Sequence, residues 1–172
     1  NRTNPVDGTI VMSNLCSEIL QVQQPSLLND KQEYEVLGTD ISCNLGSTNI
    51  PNLMQSPDFG KSVETMVRAL TYVTDHSSID AVPTVKNGND LAHTIGLGGM
   101  GLHTMFATNQ MHYGSPESIE FTDIYFMLLN YYTLAASNKI AKERGQSFVN
   151  FAKSKYYTGE YFNAFTDTAV VF

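Results

Sequence analysis

The chain has 172 residues, the size of one ordinary domain, and its 42% hydrophobic and 16% charged residues are a globular balance, not a disordered one. Ten Lys and Arg stand against 17 Asp and Glu, a formal charge of −7, which argues against a basic surface able to neutralise a nucleic-acid backbone. Two cysteines, Cys16 and Cys43, are too few for the disulfide framework of a small secreted domain.

In chain order, the polar start "NRTNPVDG" reads as a loop without the pattern of a signal peptide. "TIVMSNLCSEIL" follows as an extended segment, "QQPSLLNDKQEYE" as a second loop, and "GTDISCNLGSTNI" as a short strand with Cys43 inside it. Ser56-Pro57-Asp58 has the form of a helix start, with a hydroxyl N-cap, proline at the first helical position and an acid in the first turn. Val63, Met66, Val67, Leu70 and Val73 then recur at helical spacing, predicting an amphipathic helix to about Asp75. Ser115-Pro116-Glu117 repeats the start signal. The helix behind it is apolar on nearly every side from Ile124 to Ala136, which predicts burial between layers. That stretch is broken by Asn130 and Thr133 and is shorter than the roughly 20 apolar residues of a membrane span. Lys139, Lys142 and Arg144 suit the C-terminal dipole, and Gly145 is a natural stop. The aromatic tail from "SFVNFAKSKYYTGEYF" predicts a strand and turn. Strand-like and helical segments alternate, so the fold class is α/β. The absence of an initiator methionine and the abrupt end at "DTAVVF" predict an excised piece of something larger, and the composition predicts a soluble, cytoplasmic protein with no membrane or nucleic-acid partner.

The chemistry concentrates in "MSNLCSEI". In an extended segment Asn14, Cys16 and Glu18 would line one face, bringing amide, thiol and carboxylate together. A small buried cysteine in a strand, between two ordinary polar residues, is the competing reading. "GLGGMG", Gly96 to Gly101, formally matches G-x-G-x-x-G, but a dinucleotide site needs a solid strand before it, and only "LAHTI" beside "KNGND" is available. Close backbone approach explains the glycines as well. His76, His93, His103 and His112 lack metal-ligand spacing, so no metal site is expected. Tyr131-Tyr132 and Tyr156-Tyr157 read as core aromatics rather than a redox relay.

"SNLCSEI" followed by "SCNLGSTNI", then "GLGGMGLH" and "SPESIEFTDIYFMLLNYY", resembles the large, catalytic subunit of class Ib ribonucleotide reductase, over the whole chain. The resemblance implies that residues 1–172 are a central, incomplete segment of a ten-stranded α/β barrel, with the Cys16 motif at the tip of a finger loop inside it. It implies reduction of ribonucleoside diphosphates to 2′-deoxyribonucleoside diphosphates. Cys16 matches the thiyl position that removes the 3′-hydrogen, Glu18 the carboxylate that takes the 3′-hydroxyl proton, and Asn14 the amide that orients the ribose hydroxyls. Cys43 matches one of the two reducing thiols, and Leu45 lines the same pocket.

By the same resemblance, no cofactor sits in this chain. A dimetal-tyrosyl small subunit supplies the radical, a thioredoxin- or glutaredoxin-like protein supplies electrons, and a nucleotide effector binds elsewhere in a homodimeric large subunit. The second reducing thiol, the substrate-phosphate loop, the C-terminal redox cysteines and the radical-passing tyrosine pair are expected elsewhere in the complete subunit, so this segment alone is expected to be inactive. Two rivals remain. A non-catalytic nucleotide-binding module would use Gly96 to Gly101, and a thiol–disulfide module would pair Cys16 with Cys43.

Overall fold

The computed structural model describes residues 8, 10, 12–14, 16–42, 44–77 and 79–161; Cys43 lies outside them. In chain order the elements are β1 (Leu27–Leu28), β2 (Tyr34–Val36), β3 (Asn44–Asn49), α1 (Ile50–Met54), α2 (Phe59–His76), α3 (Pro83–Ala92), β4 (Ile95–Met100), α4 (Leu102–Thr108) and α5 (Pro116–Arg144). They group into two compact units. One draws on Asn1–Cys43, Ser78–His93 and Ser147–Phe172, the other on Asn44–Ser77 and Thr94–Gln146.

In the second unit, β3 and β4 run parallel in register from Asn44 opposite Ile95 to Asn49 opposite Met100. Helices α2 and α5 cover one face of this pair through a core of Ile50, Leu53, Val63, Val67, Tyr125 and Leu129. Asp58, not Ser56, caps α2: its carboxylate accepts from the Lys61 N–H at 2.8 Å, while the Ser56 hydroxyl bonds Ser62 at 2.8 Å. The buried stripe of α2 ends on Thr74 instead of Val73, which is half exposed; the Thr74 hydroxyl satisfies itself on the Leu70 carbonyl at 3.0 Å. Ser115 caps α5 as the sequence predicts, and Gly145 ends it at φ +67°. Burial all round does not hold for α5. Tyr125, Leu129 and Ala136 are covered by its unit, whereas Ile119, Phe126 and Tyr131 face outward. One layer of neighbours can cover only one face of a helix.

The glycine run is itself a strand. Gly96, Gly98 and Gly99 lie within β4, and "LAHTI" is no strand, because Leu91 and Ala92 end α3. A side chain at Gly99 would meet Ile50 at 3.2 Å, so close helix approach explains the glycine. Gly101, at φ +83°, starts α4. The dinucleotide fingerprint needs its glycines in the turn between strand and helix, so the nucleotide-module reading loses its site.

In the first unit, "QQPSLLNDKQEYE" is not a plain loop: β1 and β2 pair antiparallel across it. Asn29 makes the turn, its side-chain oxygen accepting from the N–H groups of Lys31 and Glu33, both at 2.9 Å. The aromatic tail forms a short 3₁₀ turn at Phe151–Lys153, and no strand occurs there among the described residues. Tyr157, like Tyr131, is exposed rather than core.

Candidate active site

The described residues between Met12 and Leu20 turn at Cys16 and Ser17 and form no strand. The Ser17 N–H donates to the Asn14 carbonyl at 3.1 Å, and Ser17 takes φ +60°. The Ile19 N–H then donates to Asn14 Oδ1 at 2.9 Å, so the asparagine side chain closes the loop over five residues. The Ser13 hydroxyl lies 3.1 Å from the Asn14 carbonyl oxygen and 3.2 Å from the Ser17 hydroxyl. Ile19, 7% exposed, anchors the loop's far end in its unit. Cys16 sits at the exposed part of the turn as a free thiol. The extended-face premise and the buried-cysteine reading are both corrected: Cys16 is presented outward on a loop braced by Asn14, with exposed Glu18 two residues on.

Asn14, Cys16 and Glu18 are thus gathered on one turn of the first unit. Leu45 is elsewhere, on β3 of the second unit, 47% exposed and opposite Gly96. Immediately before Cys43 in sequence, Ser42 is buried and its hydroxyl donates to Asn89 Oδ1 at 2.9 Å. Sequence reasoning passed over Asn89. The available signal was an asparagine–glycine–asparagine run behind Pro83, which suits a helix only if its polar side chains have work to do.

Electrostatic concentration lies away from this turn. Glu64 on α2 accepts from Lys139 at 2.9 Å and from Arg68 at 2.8 Å, and these cations hold its carboxyl down to about 2. Two shallow grooves, of about 260 and 180 Å³, lie along α5; none of Asn14, Cys16, Glu18 or Leu45 lines them. No helix among the described residues is long and apolar enough to cross a membrane.

The barrel domain of ribonucleotide reductase matches residues 1–170. The chain belongs to this family. Ribonucleotide reductase barrel domains combine helix and strand as this chain does, in agreement with the α/β class. The chain is 43% identical to the ribonucleoside-diphosphate reductase subunit alpha of Mycoplasma pneumoniae over 166 residues, 96% of its own length and 23% of that relative. The subunit alpha of Bacillus subtilis is 42% identical over 159 residues, 92% of the chain and again 23% of the relative. That of Chlamydia pneumoniae is 31% identical over 156 residues, 88% of the chain and 14% of the relative. The chain therefore spans about a quarter or less of the length of these reductase subunits.

Proposed function

We propose that this chain is a central segment of the catalytic barrel of a class Ib ribonucleoside-diphosphate reductase large subunit, and that within the complete subunit it carries the radical half of the chemistry. Family membership and relatives named ribonucleoside-diphosphate reductase subunit alpha support the reaction. The observation that carries the site is the exposed, free Cys16 on a turn with Asn14 and Glu18.

The bond to be broken joins oxygen to an unactivated 2′-carbon, and it breaks readily only beside a radical. In this reading the oxidising equivalent arrives from a dimetal-tyrosyl small subunit. Cys16, as a thiyl radical, takes the 3′-hydrogen and becomes a thiol. Glu18 takes the 3′-hydroxyl proton as general base, while Asn14 orients the hydroxyls. The 2′-hydroxyl leaves as water with one proton from the dithiol of which Cys43 is a member. That dithiol supplies two electrons and two protons in all and ends as a disulfide. Cys16 returns its hydrogen to the 3′-carbon and regains the radical, so it is a catalyst and not the reductant. Leu45 supplies apolar contact to the same substrate. A thioredoxin- or glutaredoxin-like protein reopens the disulfide, and the nucleotide effector binds elsewhere in a homodimeric complete subunit.

The test is a single turnover of the complete subunit with its small subunit and no external reductant, followed by non-reducing peptide mapping. The expected result is deoxynucleotide formed together with a disulfide between Cys43 and a cysteine outside this chain, Cys16 remaining a thiol. A Cys16–Cys43 disulfide would favour the thiol–disulfide module and contradict this reading.

A further inference from the structure

"KNGND", which the sequence offers only as the flank of a strand, forms the middle of α3 and holds the backbone that leads into Cys43. All of these contacts lie within the first unit. The Asn87 amide donates to the carbonyls of Gly38 at 2.9 Å and Leu37 at 3.3 Å. Gly88 lies against the same backbone two residues further on: a Cβ there would fall 2.0 Å from the Asp40 carbonyl oxygen. The Asp40 N–H donates to the Thr84 carbonyl at 3.0 Å. Asn89, 2% exposed, accepts from the hydroxyl of Ser42, itself 5% exposed, at 2.9 Å. These attachments follow the chain from Leu37 to Ser42, the residue covalently joined to Cys43.

A helix needed only for packing would be written differently. Glycine inside a helix costs about 1 kcal/mol relative to alanine, and asparagine is also a poor helix former. A buried amide is tolerated only when its polar atoms are bonded. Gly88 and Asn89 are explained by the segment they grip, and that segment ends at a residue for which the reductase reading requires a defined position. Disulfide closure needs Cα atoms within about 7 Å and facing Cβ vectors. The same thiol must also reach the substrate's 2′-position.

We propose that Asn89, acting through Ser42, is a positioning residue for Cys43. The inference rests on the reductase reading and deepens it. Misplacement by about 1 Å can slow a reaction by up to about a hundredfold, so a clamp one residue from the thiol has leverage on turnover without touching substrate.

The test uses the complete subunit with its small subunit and a dithiol reductant. Ser42→Thr keeps the hydroxyl, and Ser42→Val is nearly the same shape without it. Ser42→Val and Asn89→Leu are expected to lower kcat about tenfold or more with KM within about threefold, and Ser42→Thr to recover most of the loss. A second readout is the pH profile of alkylation of each cysteine in the reduced, resting subunit. Cys43 should change its profile in Ser42→Val and Asn89→Leu while Cys16 keeps its own. Equal kcat and equal Cys43 profiles for Ser42→Val and Ser42→Thr would overturn the proposal, as would parallel changes at both cysteines, which report general loosening. Cys43→Ser distinguishes the two levels of the argument: normal deoxynucleotide formation in that variant would remove the reductase reading itself.

Discussion

The side chain of Asn14 has two tasks in this account. Its oxygen receives the Ile19 N–H and so fixes the turn that presents Cys16, and its amide is assigned to the ribose hydroxyls. Glu18 follows on the same turn, exposed as a base must be before substrate arrives. General-base assistance is worth roughly 10²–10⁴ in rate, so Glu18→Gln in the complete subunit should lower kcat at least about a hundredfold while substrate binding changes little. Steady-state kinetics with a binding measurement checks this; a kcat within about twofold of the parent would exclude the base assignment. The residue pattern was legible in the sequence, because amide, thiol and carboxylate at fixed spacing is a property of order alone. Its geometry was not. The argument from i, i+2 and i+4 presumed extended backbone, and an asparagine side chain that bonds a backbone N–H five residues away offers the chain a turn instead.

At the scale of elements, local signals and long-range ones separate cleanly. The α5 boundaries were legible because Ser115 and Gly145 act within one turn of themselves. Helix α3 was hidden by Gly88 and two asparagines, whose reasons lie on a different segment. The glycine run could not be recognised as a strand until β3 stood beside it. The joint between α2 and α5 is likewise non-local. Glu64, its side chain 15% exposed, takes Lys139 and Arg68, Arg68 also pairs with Glu143, and Arg144 pairs with Asp75. Two of the cations read for the helix dipole, Lys139 and Arg144, thus clamp two helices. Because Glu64 is held to about 2, below its ordinary 4.5, its contribution is complete above pH 4.5 and is lost as pH falls toward 2. Glu143, also lowered by Arg68, has the same sign. Thermal melts across this range should therefore show an acid-induced drop in stability that is smaller in Glu64→Gln. An identical drop in that variant would show that the clamp does not carry the effect.

For the molecule as a whole, β3 and β4 pair only with each other among the described residues, leaving an outer edge on each strand. Parallel strands normally lie inside larger sheets covered on both faces. Ile119, Phe126 and Tyr131 on α5 add outward apolar surface. These features, and the 23% of subunit alpha that the chain covers, support the proposal that these residues work as one part of a larger barrel. The central claim is that Cys16 carries the radical, and serine tests it with the smallest change in size and polarity. The O–H bond of serine is stronger than the S–H bond of cysteine, so an oxygen radical does not form in place of the thiyl. The deciding measurement is deoxynucleotide formation by the complete Cys16→Ser subunit with its small subunit and reductant, alongside substrate affinity. The account predicts no detectable product and an affinity within about threefold of the parent, since Cys16 serves the radical step and not uniform binding. Deoxynucleotide made at close to the parent rate would contradict it.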